Sequence, residues 1–200
     1  MARITSVCVY CGSSPGKNPA FVEQARQFGR ILAHAGVRLV YGGGGIGLMG
    51  EVATAAATAG GEVTGIIPDF LRSREREFAH EAEIVVVSDM HERKRLMFER
   101  ADAFVALPGG IGTLEELVEQ LTWAQLGQHR KPILLLNIAS FWDPFLTLMD
   151  HMRTSGFIRS HAPVQFLTVD SAEEILPALQ AAADDIPVFE AADAGLADRM

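Results

Sequence analysis

Apolar positions follow two alternating patterns along this chain, and together they predict an α/β fold. Short runs of consecutive apolar, often β-branched residues predict seven strands: Ile4–Tyr10, Val37–Tyr41, Glu62–Ile67, Ile84–Val87, Ala103–Leu107, Ile133–Asn137 and Phe166–Val169. The amphipathic or alanine-rich segments between them predict six helices: Ala20–Ala35, Gly47–Ala59, Asp89–Ala101, Thr113–Gly127, Phe141–Ser155 and Ala172–Ala183. Strands that are apolar throughout are buried on both faces, so the pattern predicts a doubly wound parallel sheet of about seven strands with helices on both faces.

No break in composition divides the chain, so residues 1–183 are expected to form a single domain. Two segments depart from the pattern. Residues 68–82, PDFLRSREREFAHEA, are dense in charge and start with a proline, which predicts an exposed excursion or lid. Residues 184–200 are acidic and rich in alanine, and they predict a loosely held tail.

The bulk composition narrows the classes of function. The chain has 200 residues, 48% of them hydrophobic, and a formal net charge of −8. Such an acidic protein gains no general electrostatic attraction to nucleic acids or anionic membranes, so any phosphate that it binds must be held by local geometry. The N-terminus lacks an apolar signal region and no apolar run reaches about 18 residues, which predicts a cytoplasmic protein.

The two cysteines, Cys8 and Cys11, form a C-x-x-C pattern inside a predicted strand. Reactive thiol pairs lie at helix N-termini, and the six histidines lack the paired spacing of a zinc site. We therefore expect two reduced, buried thiols and no metal site.

Glycines and polar residues collect where predicted strands end. Four segments, CGSS (11–14), GGGGIGLMG (42–50), SDMHERK (88–94) and PGGIGTLEE (108–116), follow four different strands. The carboxyl ends of parallel strands share one edge of the sheet, and ligands bind beyond that edge. The sequence therefore predicts a binding site formed by these four loops.

The glycine run after the second strand has two interpretations. Residues 42–47 contain G-x-G-x-x-G between a strand and a helix, and Asp69 follows about twenty residues later, as in a dinucleotide-binding fingerprint. A tight turn alone explains the run poorly, because each glycine adds to the entropy lost when the loop is ordered. Close approach of the backbone to a ligand is the better explanation.

A second glycine-rich turn, Pro108–Thr113, precedes a predicted helix. Gly109, Gly110 and Gly112 allow successive N–H groups to converge at the positive end of the helix, which suits a phosphate. The turn lacks the G-K-[ST] of a P-loop, so chemistry on a magnesium-bound nucleoside triphosphate has no support. Two such turns on one small domain favour a mononucleotide over a dinucleotide.

Glu116 has two candidate uses. It has capping-box spacing with Thr113, in which case its carboxylate only stabilises the start of the helix. The predicted buried face of this helix is an apolar stripe: Leu114, Leu117, Val118 and Leu121. The polar residues fall outside that stripe: Glu115, Glu116, Glu119 and Gln120. Carboxylates beside a phosphate site are unfavourable unless they serve a further purpose, so a functional role for Glu116 stays open.

The segment that follows the fourth strand brings positive charge to the same edge. Asp89 is a predicted helix N-cap, with Glu92 in the first turn. Arg93, Lys94 and Arg95 come next. These cations form either a solvated helix face, in which Asp89 and Arg93 pair at i,i+4, or part of the site.

Together these segments resemble the Lonely-guy (LOG) family of cytokinin riboside 5′-monophosphate phosphoribohydrolases, whose members were often labelled "possible lysine decarboxylase". PGGIGTLEE fits the pattern P-G-G-x-G-T-x-x-E completely, and CGSS, YGGGGIGLMG, MHERK and TWAQLGQHRKP (122–132) fall in the expected order. The resemblance covers roughly residues 4–180. It implies a Rossmann-like fold, a homodimer, and hydrolysis of the N-glycosidic bond of an adenosine-type 5′-monophosphate to free base and ribose 5-phosphate.

The resemblance also implies roles for individual residues. Arg93 and Glu116 correspond to the family's catalytic pair, and Glu77 corresponds to a substrate-binding glutamate, with Glu75 as the alternative. The other residues expected to bind substrate lie in the loops that follow the strands and on the helix after the phosphate loop: Ser13, Gly43, Gly44, Met90, Lys94, Gly109, Gly110, Ile111, Gly112, Thr113, Leu114, Glu115 and Thr122.

Elementary chemistry agrees with this implication. Cleavage of an N-glycosidic bond builds oxocarbenium character on the ribose, and a carboxylate near C1′ can stabilise that charge and orient or deprotonate the water. The helix N-terminus and Arg93 would hold the phosphate. Neither a metal nor a redox cofactor is required.

Other classes of function make different demands on the same residues. A purine-nucleotide-binding sensor or carrier would keep both glycine loops without needing Glu116. An NAD-dependent enzyme would bind a nicotinamide cofactor tightly and AMP poorly. A pyridoxal-dependent decarboxylase needs a Schiff-base lysine, and none of the three lysines, Lys17, Lys94 and Lys131, lies in a recognisable cofactor setting.

Overall fold

The architecture is taken from a computed structural model that describes residues 3–72, 82–158 and 163–185. The strands in the described ranges are β1 (Ser6–Tyr10), β2 (Arg38–Tyr41), β3 (Val63–Pro68), β4 (Glu83–Val87), β5 (Ala103–Ala106), β6 (Ile133–Leu136) and β7 (Leu167–Val169). The α-helices there are α1 (Pro19–His34), α2 (Gly47–Thr58), α3 (Asp69–Arg72), α4 (Met90–Glu99), α5 (Ile111–Gln125), α6 (Asp143–Thr154) and α7 (Ala172–Asp184).

The seven described strands form one parallel sheet in the order β4-β3-β2-β1-β5-β6-β7. Strand β1 pairs with both β2 and β5, and Cys8 lies opposite Val40 on one side and Phe104 on the other. The chain builds one half of the sheet outward from β1 and then returns to build the other half from β5. The predicted doubly wound sheet is confirmed, and the strand order reverses at β1 and β5, where open α/β sheets bind ligands.

Helices cover both faces of the sheet, as the apolar strands require. On one face α1, α2 and α7 enclose a core that includes Phe28, Val52 and Leu179. On the other face α4, α5 and α6 enclose a core that includes Met97 and Leu117. Each large apolar side chain buried in this way contributes about 1.5–3 kcal/mol to the stability of the fold. The two packed layers therefore fix the ends of the strands and helices between which the loops run.

Cys8 and Cys11 are buried free thiols, as predicted. They belong to cores on opposite faces of the sheet, because residues three apart at the end of a strand point to opposite sides. Burial raises the pKa of both thiols above the ordinary value. They therefore remain protonated and unreactive at neutral pH.

Two helices begin two residues away from their predicted starts. Helix α5 begins at Ile111 rather than Thr113, which matters for the site. Helix α6 begins at Asp143 rather than Phe141, because residues Ile138–Ser140 form a 3-10 turn before it. In that turn Ala139 and Ser140 have φ values of 51° and 59°, a conformation that costs a non-glycine residue about 1–2 kcal/mol.

The two segments that depart from the α/β pattern lie largely outside the described residues. Strand β3 extends to Pro68, and Asp69–Arg72 forms α3, whereas residues 73–81 of the predicted lid are not described. Helix α7 ends at Asp184, and residues 186–200 of the predicted tail are not described. None of the helices within the described ranges is both long enough and apolar enough to cross a membrane.

Candidate active site

Three of the predicted loops meet beyond the carboxyl ends of β1, β2 and β5. The backbone N–H of Gly12 donates to the Pro108 carbonyl over 3.1 Å, and the N–H of Met49 donates to the Gly12 carbonyl over 3.3 Å. Gly47 lies so close to the backbone of Ser13 that a Cβ atom there would overlap it. Three of the four loops expected to form the binding site are therefore in contact at this sheet edge, and ligand binding there stays a prediction.

The start of α5 has the features of an anion-binding site. Gly110 occupies the N-cap position, and no side chain in the described ranges caps this helix. The first N–H groups of a helix have no partner within it and carry its partial positive charge. A Cβ atom added at Gly110 or Gly112 would meet no described atom within 4 Å. The turn can therefore accept a phosphate without displacing a protein group.

The capping-box interpretation of Thr113 and Glu116 is wrong. Because α5 begins at Ile111, Thr113 lies inside the first turn and Glu116 in the second, beyond reach of the N-cap. The Thr113 side chain is buried, and a Cβ atom on Gly109 would overlap its hydroxyl. Gly109 is therefore a glycine because Thr113 occupies that space.

Glu116 is buried on the inner face of α5, where only 7% of the residue is exposed. The prediction placed Glu116 and Gln120 off the buried stripe and Val118 within it, and this was wrong: Gln120 is buried, and Val118 is 42% exposed. The inner face carries a mixed set of residues: Thr113, Glu116, Leu117, Gln120 and Leu121. The helix is thus rotated relative to its apolar stripe, which brings a carboxylate into the interior.

Arg93 of α4 is the partner of Glu116. Its Nη1 lies 3.3 Å from Oε1 of Glu116, and both side chains are about nine-tenths buried. The Nε of Arg93 donates to the Ile66 carbonyl over 3.2 Å, and Nη1 is 3.8 Å from the Met90 sulfur. These contacts fix the guanidinium from several sides, so Arg93 is not part of a solvated helix face.

The predicted N-cap, Asp89, fixes the start of helix α4, which carries Arg93. The Asp89 carboxylate accepts from the backbone N–H groups of His91 and Glu92 over 2.8 and 2.9 Å. The N-cap prediction for Asp89 is confirmed, but the predicted Asp89–Arg93 pair is wrong, since Arg93 pairs with Glu116. The cap begins α4 at Met90, which sets the direction in which Arg93 leaves the helix.

A second ion cluster lies beside this pair between the same two helices. The Lys94 ammonium is 2.6 Å from Oε1 of Glu115 and 2.9 Å from Oε1 of Glu119. Burial lowers the pKa of Lys94, but the two carboxylates outweigh this effect and leave it raised overall. Glu115, Glu116 and Glu119 of α5 therefore each have a cation of α4 as partner, which compensates their negative charge beside the candidate phosphate site.

Burial dominates the ionisation of Glu116. It raises the pKa of this carboxyl to about 7 from an ordinary 4.5, against the attraction of Arg93, which lowers it. Glu115 and Glu119 raise the pKa further and Lys94 lowers it. Near neutral pH the carboxyl is thus poised between its two forms, which is the condition under which a general acid or base works best.

The remaining predicted site residues vary in how near they lie to this pair. Met90 touches Arg93, and Gly43 and Gly44 are buried in the loop after β2, whereas Ser13 is exposed after β1.

Thr122 lies about 9 Å further along α5 than Glu116; its exposed hydroxyl donates to the Val118 carbonyl over 2.7 Å. Ile111 is exposed and Leu114 half-buried. Glu77 and its alternative Glu75 lie outside the described residues, and substrate contact remains a prediction for this whole set.

Contacts with neighbouring protein atoms explain why the first two residues after β2 are glycines. A Cβ atom on Gly42 would overlap Arg93, and one on Gly43, whose φ is 80°, would lie 2.9 Å from Cβ of Ile67. The lack of a side chain at both positions therefore has an explanation within the protein, while contact of this loop with a substrate stays a prediction. Asp69, the acidic residue of the fingerprint, has a side chain that is 79% exposed, beside Arg72. The dinucleotide interpretation therefore loses the support of these two glycines.

Sequence reasoning missed the groups that hold the Arg93–Glu116 pair. The Ile66 carbonyl, the space at Gly42 and the second carboxylate on Lys94, Glu119, all shape the site. A backbone carbonyl carries no sequence signal. Glu119 did carry one, since it lies one turn after Glu115 on the same helix face.

Comparison with known proteins places the chain among relatives. Residues 49–179 match the family model described as "Possible lysine decarboxylase". The cytokinin riboside 5′-monophosphate phosphoribohydrolase LOG of Oryza sativa subsp. japonica is 45% identical over 94% of this chain and 77% of its own length. LOG7 of Arabidopsis thaliana, which has the same activity name, is 46% identical over 90% of this chain and 82% of its own length.

Solved structures share the fold at lower identity. The molybdenum cofactor carrier protein of Chlamydomonas reinhardtii has a TM-score of 0.68 at 19% identity, covering 91% of this chain and 99% of that chain. The molybdenum cofactor binding protein of Rippkaea orientalis has a TM-score of 0.66 at 23% identity, covering 90% and 98%. These likenesses establish the Rossmann-like fold alone. By the family model and the extent of identity with its relatives, the chain belongs to the LOG family of cytokinin riboside 5′-monophosphate phosphoribohydrolases.

Proposed function

We propose that this protein hydrolyses the N-glycosidic bond of adenosine-type 5′-monophosphates, including cytokinin riboside 5′-monophosphates, to free base and ribose 5-phosphate. The observation that carries the proposal is a buried carboxylate, Glu116, held by Arg93 in the turn of α5 that follows an uncapped helix start. The activity named for relatives at about 45% identity supports the same reaction.

The spacing along α5 suits a nucleotide that is held at its phosphate. From Ile111 to Glu116 the helix advances about 8 Å, which ribose 5-phosphate can span. In this arrangement the phosphate accepts from the free N–H groups of the first turn, and the ribose lies over the second turn. Binding at the phosphate then positions the anomeric carbon for the reaction.

Glu116 would act on the ribose and on water. As the C1′–N bond lengthens, positive charge develops on the sugar ring, and an ionised carboxylate close by stabilises it. The same carboxylate accepts a proton from the attacking water, whose oxygen bonds to C1′ while the electron pair of the broken bond leaves with the base. The pKa of about 7 lets Glu116 accept this proton and release it again near neutral pH. The departing base takes up one proton, so the products are the neutral base and ribose 5-phosphate.

The role proposed for Arg93 differs from the phosphate binding that the sequence suggested. Its Nε and Nη1 already bind Ile66 and Glu116, so its main task in the proposal is to hold the carboxylate and favour its ionised form. A direct contact between Arg93 and the substrate phosphate remains a prediction.

The lysines give a decarboxylase no support. Lys94 is held between two carboxylates. Lys131 donates to the Phe98 carbonyl over 2.6 Å and lies over the Phe98 ring. A lysine that forms a Schiff base needs a free amine facing a cofactor, and neither of these two meets that need.

Product analysis tests the reaction class. AMP and an N6-prenylated AMP are incubated with the pure protein, and the products are separated by chromatography. The proposal predicts equimolar free base and ribose 5-phosphate from both nucleotides. Release of nucleoside and inorganic phosphate, or tight binding without turnover as expected of a sensor or carrier, would overturn it.

The homodimer that the family resemblance implies also remains a prediction. Sedimentation equilibrium of the full chain is expected to give twice the mass of 21.6 kDa. A mass equal to that of one chain at micromolar concentration would contradict it.

A further inference from the structure

Gly42 directly follows β2 and is buried beneath the catalytic pair. Its φ lies outside the left-handed region that Gly43 and Gly47 occupy, so no positive φ requires a glycine at this position. The reason for a glycine here must therefore be space rather than conformation.

The space at Gly42 is filled by Arg93. A Cβ atom at position 42 would overlap Nη2 of Arg93, and it would lie 3.3 Å from both Cζ of Arg93 and the Met49 sulfur. A methionine side chain can shift by a few tenths of an ångström at small cost. The guanidinium cannot, because Ile66 and Glu116 hold its other nitrogens.

We propose that Gly42 is a positioning residue for the Arg93–Glu116 pair, and that its missing side chain is the space in which the guanidinium sits. An ordinary contact requires about 3.5 Å between heavy atoms, so a methyl group there would move Nη2 by more than about 1 Å. That displacement breaks the 3.3 Å contact with Glu116 or the bond to the Ile66 carbonyl. The inference rests on the proposed function for its effect on turnover, but not for its effect on Arg93.

The proposal gives this glycine a task different from ligand binding. A loop that binds nucleotide through its backbone would lose affinity when a side chain is added. If the loop instead provides space for the arginine, the added side chain should leave substrate affinity unchanged and lower kcat, because the Glu116 carboxylate would then be displaced from its position. Displacements of about 1 Å at a catalytic group cost on the order of 100-fold in rate.

The first test is kinetic. Gly42→Ala is expected to lower kcat on AMP by about 100-fold while KM stays within about threefold. It should also move the acid limb of the kcat profile to higher pH, because Glu116 loses the cation that favours its ionised form. Gly60→Ala is the control: Gly60 is an exposed loop glycine with a φ of 80°, so alanine strains the backbone there, but no described atom lies within 4 Å of an added Cβ. Its kcat should therefore match that of the wild type.

The second test needs no turnover and so separates this inference from the proposed function. Urea unfolding is measured at about pH 6 for wild type, Gly42→Ala, Arg93→Gln and the double variant. Glutamine is too short to reach Gly42, so Gly42→Ala should lower the unfolding midpoint in the wild-type background and leave it unchanged in the Arg93→Gln background. Equal losses in both backgrounds would overturn the proposal, as would wild-type kcat in Gly42→Ala.

Discussion

Replacement of Glu116 by glutamine should change how the stability of this protein depends on pH. Glutamine keeps the shape of the side chain and removes its ionisation. The comparison of the two proteins therefore isolates the free energy of ionising one buried carboxyl, since every other titrating group is common to both. The quantity of interest is the difference in unfolding free energy between them at each pH.

The structure sets both the sign and the size of that difference. The folded protein gives Glu116 a pKa of about 7, above the ordinary 4.5 of an unfolded chain. Between these values the folded protein holds a proton that the unfolded chain has lost, so stability falls as pH rises through this window. The wild type should lose about 3 kcal/mol relative to Glu116→Gln as pH rises from below 4.5 to above 7. With its side chain only 10% exposed, Glu116 loses little of this to solvent screening.

Urea unfolding followed by circular dichroism at several values between about pH 5 and pH 8.5 measures this difference. Glu99→Gln is the matched control, since Glu99 is an exposed glutamate of α4 in an ion pair with Arg95, and an exposed pair contributes only about 0.2–1 kcal/mol to stability. A flat profile for Glu116→Gln would mean that burial does not perturb the carboxyl. A profile in which the wild type gains stability with rising pH would mean that the Arg93 attraction exceeds the cost of burial.

Two further predictions address the loops around the site. Ser140→Gly should stabilise the protein by about 1 kcal/mol, because Ser140 has a φ of 59° that glycine adopts without strain; thermal unfolding checks this, and an unchanged or lower Tm would argue against strain in that turn. Gly112→Asp places a carboxylate in open space at the start of α5 and should raise KM for AMP by about tenfold or more while leaving binding of adenosine unchanged; equal losses for both ligands would show that the phosphate does not bind there.

The sheet and its loops were predictable because their signals are local. Apolar runs and turn residues identify each strand and helix, and the parallel order then brings the four loops to one edge without further information. The cap at Asp89 followed from the same kind of local chemistry, since a carboxylate before a helix satisfies its first N–H groups.

The chemistry at Glu116 was not predictable in the same way. The first residue that could cap α5 with its side chain is Thr113, so the helix was expected to start there, whereas its N-cap is Gly110. A helix start without a side-chain cap is expected only if something else satisfies the N–H groups. The buried position of Glu116 also depends on Arg93, which is distant in sequence, and carboxylates are seldom buried without such a partner.

The loop after β2 shows a further limit of sequence reasoning. The run of glycines correctly marked a place of close approach, but the approaching group is the guanidinium of Arg93 at Gly42 and the side chain of Ile67 at Gly43. A glycine reports that space is needed and does not say what fills it. Only the three-dimensional arrangement distinguishes a ligand from a neighbouring side chain.

The central claim is that Glu116 performs the chemistry while the start of α5 holds the substrate. Its most direct test compares wild type, Glu116→Gln and Glu99→Gln in two measurements, the binding of AMP by calorimetry and the release of free base by chromatography. We expect Glu116→Gln to bind AMP within about tenfold of wild type and to release base at least about 100-fold more slowly, whereas Glu99→Gln should match wild type in both. Release of base by Glu116→Gln at the wild-type rate would show that Glu116 does not perform the chemistry.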